Sequence, residues 1–98
     1  MEIEKWHLGC DQQIIRREKH KARVLRQSQW WKNKRAHNKC YYCKTETLAR
    51  ELTMDHIVPL ARGGRSIKKN LVPCCKSCNN MKKNLLPVEW QEFLKKFR

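Results

Sequence analysis

Met54–Asn79, MDHIVPLARGGRSIKKNLVPCCKSCN, is the stretch whose reading decides the fold of this chain. It opens on an Asp55-His56 pair, breaks at Pro59, turns at Gly63-Gly64, resumes at Asn70, and closes on Cys75-Lys-Ser-Cys78 and Asn79. Alternation sets Leu52, Met54 and His56 on one face of a strand over residues 51–57, which Pro59 ends. Residues 70–73 read as the return strand, and a short helix follows over about 77–85, stopped by Pro87. Neighbouring Asp55 and His56 on a regular strand would point to opposite faces, so a break or bulge is expected there.

Outside this stretch, Cys40-Tyr-Tyr-Cys43 matches Cys75-Lys-Ser-Cys78, with 31 residues between the two pairs. Four thiolates in two such knuckles can converge tetrahedrally on a structural Zn2+; disulfides or a thiol redox pair are the alternatives. Metal binding would then supply folding free energy that a small core cannot. Cys74 lies in the apolar run after Leu71 and reads as a buried core thiol. His37 stands near enough to replace a cysteine, although four cysteines need no help.

The chain has 98 residues, enough for one small domain, and its mean hydropathy of -0.89 leaves room for only a modest core. Lys and Arg number 23 against 9 Asp and Glu, a net charge of +14 that points to a polyanionic partner. No apolar run approaches the ~20 residues of a membrane span, and the first ten residues lack the core of a signal peptide. A membrane partner is therefore not expected. A cytoplasmic, reducing setting is the default, where cysteine pairs favour metal over disulfide.

Upstream, Asp11 can cap a helix through about Gln29, with Ile14, Ile15, Ala22, Val24 and Leu25 as a narrow apolar stripe. Arg16, Arg17, Lys19, Lys21, Arg23 and Arg26 occupy the other faces, and Glu18 is the only acid between Arg16 and Lys39. Charge so one-sided favours phosphate contact over mere solvation. Trp30 and Trp31 can stack on bases, or anchor a polar helix to the core, the role preferred for at least one of them. A last helix begins at Pro87, with Val88, Trp90, Phe93, Leu94 and Phe97 as its apolar face. Residues 1–39 thus read as a basic extension packed on a core of residues 40–98, in one structural domain. Trp6 and Leu8 are candidates to pack on the domain, Cys10 has no obvious mate, and His7, His20 and His37 read as structural or phosphate-facing.

Taken together, the Cys-x-x-Cys, Asp55-His56-Ile-Val-Pro-Leu, Gly63-Gly64, Asn70-Leu-Val-Pro and Cys75-x-x-Cys78-Asn79 with Lys82 resemble the HNH endonuclease family. The resemblance covers about Cys40 to Trp90 and does not explain the basic N-terminal segment. It implies an α+β fold: a small zinc-stabilised ββα-metal (His-Me finger) domain, here with a basic N-terminal helix and a short C-terminal helix. It also implies His56 as general base, Asp55 and Asn79 as ligands of a catalytic Mg2+ or Mn2+, and Asn70 as the residue that orients His56. The last motif residue being Asn79 makes this an H-N-N variant. Lys82 matches a basic position that faces phosphate.

Elementary chemistry agrees, because phosphodiester hydrolysis needs a base titrating near neutrality and a hard cation on the phosphate. The expected function is DNA endonuclease or nickase on double-stranded DNA. Phosphate contacts are assigned to Arg16, Arg17, Lys19, Arg23, Arg26, Arg62, Arg65, Lys68, Lys69, Lys82 and Lys83. A non-catalytic zinc-finger module that binds nucleic acid, and an RNA-directed enzyme on the same scaffold, are the other readings. Target sequence and oligomeric state are not legible.

Overall fold

The computed structural model describes residues 11–97, so Trp6, His7, Leu8 and Cys10 lie outside the described residues. Helix α1 spans Gln12–Arg26 and α2 spans Gln29–Arg35; strands β1 and β2 are Thr53–His56 and Leu71–Cys74; α3 spans Lys76–Lys82 and α4 Pro87–Phe97. Short 3-10 turns at Ala49–Glu51, Leu60–Arg62 and Lys68–Asn70 connect them. The fold is α+β: among the described residues, four helices surround one antiparallel two-stranded sheet.

Asp11 caps α1 as expected, its Oδ1 accepting from the Gln13 amide at 2.7 Å. The helix does not run on to Gln29. Ser28 takes an extended conformation and accepts from the Trp31 amide, which caps a separate helix, α2. The apolar stripe is also narrower than its sequence suggests. Val24 is 56% exposed, and the side chains that α1 buries are Ala22 and, unexpectedly, Glu18. Trp31 is the buried anchor of α2, whereas Trp30 is half-buried with the Lys34 and Lys68 ammonium groups near its ring.

β1 starts two residues later than expected because Ala49–Glu51 turns as a 3-10 helix, and β2 runs from Leu71 rather than Asn70. The register is regular, Thr53 opposite Cys74 through His56 opposite Leu71; of the break or bulge expected at Asp55-His56, no bulge occurs and the strand ends at His56. β2 is buried along its whole length, as a strand between helices must be. α3 is shorter than expected. It ends at Lys82 because Lys83 turns to a positive φ of 48°.

The core gathers Cys40, Leu52, Cys74, Cys78 and Trp90, with Tyr42, Met81, Leu85, Phe93 and Leu94 packed against it. Trp90 meets Tyr42 edge-on at 5.7 Å and stacks on Phe93 at 5.5 Å, which seats α4. Val88 and Phe97, expected on the apolar face of α4, are 75% and 68% exposed. Among the described residues, no helix is long and apolar enough to cross a membrane.

The loop between the strands is fixed from inside by Asn70. Its Oδ1 accepts from the Val58 amide at 2.9 Å, and its Nδ2 donates to the carbonyls of Val58 and Arg65. Gly63 supplies the left-handed φ of 93°. Gly64 is required for a different reason, since a Cβ there would fall on the Val58 carbonyl that Asn70 holds. Gly64→Ala should therefore cost roughly 2 kcal/mol or more and Gly63→Ala about 1 kcal/mol in denaturant unfolding. A Gly64→Ala protein as stable as wild type would contradict this packing.

Candidate active site

The four knuckle cysteines converge. Their sulfurs all lie within 4.8 Å of one another, and Cys43 and Cys75 stand 3.8 Å apart. Zn–S bonds of about 2.3 Å in a tetrahedron put sulfurs ~3.8 Å apart, so the spacing fits a four-cysteine zinc site. Local structure explains the convergence. Cys40 accepts the Lys44 amide across a tight turn, and the Tyr41 amide donates to the Pro73 carbonyl, docking the first knuckle on β2. The second knuckle is the start of α3, where Cys75 Sγ caps the Cys78 amide.

Burial raises the Cys43 thiol, but hydrogen bonding with Thr45 and the neighbouring thiols outweighs it and brings it down to about 6. A ligand thiolate is thereby favoured at neutral pH. Cys74 is fully buried and outside the cluster, a core thiol that burial pushes far up. His37 is exposed and is not a member of the cluster.

A groove of about 680 Å³ lies on the other side of β1, lined by Asp55, His56 and Asn79, by Leu60 and Ala61 of the loop, and by Lys19 of α1. Asp55 is buried, and its Oδ2 accepts from the Tyr42 hydroxyl at 2.6 Å and from Lys82 Nζ at 3.1 Å. Oδ1 has no partner among the described residues. Burial, then the hydrogen bond and charge of Asp55, push the Tyr42 hydroxyl far above the usual phenol range, so it acts as a neutral donor. Asn79 donates from Nδ2 to Thr53 Oγ1 at 3.4 Å, which leaves its amide oxygen available.

Lys82 requires a correction. It is 1% exposed, pairs with Asp55, and donates to the His56 carbonyl at 3.0 Å, so it does not face phosphate. Lys82, the last residue of α3, points at β1 and not at solvent, because α3 packs on that strand. Arg62 is also committed: its guanidinium bonds both Glu89 carboxylate oxygens and the Asn84 carbonyl. Arg16, Arg17, Lys19, Arg23, Arg26 and Arg65 are exposed.

His56 Nε2 lies 2.9 Å from Ser66 Oγ. Burial holds its pKa below the ordinary imidazole range; Arg26 and Lys82 act the same way, and Asp55 and Glu18 oppose them. Asn70 makes no bond to the ring. Its bonds to Val58 and Arg65 hold the loop beyond His56, and the backbone of Asn70 accepts from the Ile57 amide. Tyr42, Ser66 and Glu18 were not singled out from sequence. Only Glu18 carried a signal, as the one acid in a basic run.

A family model described as HNH endonuclease matches residues 40–94, more than half of the chain. No curated protein matches it.

Chelation or loss of one knuckle thiol should unfold the protein. Cys40→Ala and Cys78→Ala are expected to release about one zinc per chain, read by elemental analysis, with loss of the near-ultraviolet dichroism of Trp90 and its neighbours. A folded, zinc-free Cys40→Ala protein would refute the scaffold.

Proposed function

This chain is a member of the HNH endonuclease family, and on that basis we propose that it is a metal-dependent endonuclease hydrolysing DNA phosphodiester bonds. The observation that carries the reading is that Asp55, His56 and Asn79 line one groove with Lys19 of the basic helix at its edge.

The donors that would hold the cation are Asp55 Oδ1 and the Asn79 amide oxygen, a hard oxygen set suited to Mg2+ or Mn2+. A cation bound there neutralises charge on the phosphate and stabilises the leaving 3′ oxygen. His56 takes a proton from the attacking water; the new P–O bond forms as the bond to the 3′ oxygen breaks. The products are a 5′-phosphate and a 3′-hydroxyl, whose proton comes from solvent. Lys82 and Tyr42 both hold Oδ2 and so aim the Asp55 carboxylate, and Asn70 holds the loop that follows His56.

The four-cysteine cluster is assigned a structural Zn2+, which carries no chemistry. Binding is assigned to Arg16, Arg17, Lys19, Arg23, Arg26 and Arg65, with Lys68, Lys69 and Lys83. Affinity resting on such phosphate contacts falls steeply as salt rises.

Supercoiled plasmid incubated with the zinc-loaded protein and Mg2+ or Mn2+ should be nicked or linearised, and EDTA should stop it. His56→Ala should lower the rate by about 10²–10⁴-fold at unchanged DNA affinity. DNA binding without cleavage in either metal would overturn the enzyme reading in favour of a binding module.

The base must be neutral to work, and its pKa lies below the usual 6.5. The rate should therefore be flat above about pH 6.5 and fall on the acid side of it. An acid limb centred above pH 7 would argue against His56 as the base.

A further inference from the structure

Glu18 is 3% exposed in a helix whose other charges face solvent, and nothing in the reading above uses it. Its carboxylate reaches across to the interstrand loop, where Oε1 accepts from the Ser66 amide at 2.6 Å while Oε2 pairs with Lys21 at 3.2 Å. The Ser66 hydroxyl returns the contact, donating to the Glu18 backbone carbonyl at 2.6 Å. Ser66 is itself 4% exposed and lies 2.9 Å from His56 Nε2.

These three contacts determine where the imidazole proton sits. A serine hydroxyl has one proton, and a carbonyl oxygen can only accept. With that proton committed to the Glu18 carbonyl, Ser66 Oγ can meet His56 Nε2 only as an acceptor. The neutral ring must therefore carry its proton on Nε2. Nδ1, which has no partner among the described residues, keeps the lone pair.

We propose that Ser66, held from two sides by Glu18 of the N-terminal helix, is a positioning residue that locks His56 in the Nε2–H tautomer and makes Nδ1 the proton acceptor of the reaction. The inference rests on the assignment of His56 as base, and it gives α1 a part in the site itself. Glu18 lies outside the matched family segment, so this support comes from the extension and not from the family core. The arrangement accounts for both buried polar side chains, because Ser66 would lose both of its bonds to Glu18 if α1 moved away.

Nitrogen-15 NMR of the imidazoles in the full-length, zinc-loaded protein reads the tautomer directly, with His56→Ala assigning the signal. Wild type at pH 7.5 should show a protonated Nε2 and an unprotonated Nδ1 on His56. Ser66→Ala should move both shifts toward a tautomer mixture and lower single-turnover cleavage by about 10–100-fold with DNA affinity unchanged. Ser66→Thr, which keeps the hydroxyl, should restore both, and Glu18→Ala, which removes the carboxylate grip on Ser66 but keeps the backbone carbonyl, should move the spectrum part of the way toward that of Ser66→Ala.

A wild-type His56 protonated on Nδ1 overturns the proposal without any variant. So does a folded Ser66→Ala protein with an unchanged spectrum and rate. Because the spectrum is read without substrate, a wild type with the Nε2–H tautomer and no cleavage would instead count against the nuclease reading.

Discussion

Cys40 and Cys43 stand at one end of the segment that carries the site, Cys75 and Cys78 at the other, and their sulfurs are gathered within 4.8 Å. Everything from β1 to the start of α3 is a loop closed by that cluster. Closing a loop of this length costs only a few kcal/mol of chain entropy. A core of so few buried apolar residues has little to spare. A metal held by four thiolates could supply that several times over. The position of the cluster matters as much as its strength. Cys75 caps α3 and Cys78 lies within it, so the same turn that offers sulfur to one side presents Asn79 to the groove on the other.

The second constraint is the burial of charge. Asp55 and Lys82 form a pair 3.1 Å apart with side chains 9% and 1% exposed. Two ions taken from water gain little net stability from each other, and removing one would leave the other stranded at a cost of about 3–5 kcal/mol. Such a pair is better understood as an aiming device. Lys82 and Tyr42 both engage Oδ2, so Oδ1 is left to whatever enters the groove. On the proposed reading, a cation shares the Asp55 charge with Lys82, which weakens its binding. In exchange, the carboxylate is never left buried and uncompensated before the cation arrives.

Spacing and chemistry made the cysteine frame and the strand-loop-strand-helix order legible, because each depends on residues close in sequence. Asp11 as a cap, Gly63-Gly64 as the turn, one of Trp30 and Trp31 as an anchor and Cys74 as a core thiol follow from local rules of the same kind. What was not legible depends on partners far apart along the chain. Nothing near Lys82 says that it will turn inward to Asp55, 27 positions earlier. Arg62 looks like any surface cation until Glu89 arrives on α4. The expected bulge at Asp55-His56 was a reasonable demand of geometry. It proved unnecessary because β1 ends at His56, and the groove wraps the strand's end instead of one face.

Glu18 shows why a helix of this composition docks at all. With Ala22 as its only buried apolar residue, Ile14, Ile15 and Leu25 half-buried and six exposed cations, α1 has limited hydrophobic reason to stay on a protein of net charge +14. A buried carboxylate accepting a backbone N–H is held below the usual carboxylate range, chiefly by that bond from Ser66, and so remains charged where it lies. Its charge offsets Lys21 and Arg65 close by. The attachment is therefore polar and directional, unlike the packing of Trp90 on the cysteine cluster. A directional attachment fixes the helix in rotation as well as in place. The same contact that turns Glu18 inward leaves Arg16, Arg17, Lys19 and Arg23 exposed and puts Lys19 at the edge of the groove. The electrostatic surface and the tautomer of His56 thus depend on one acid, which a count of charges alone would set aside as an exception.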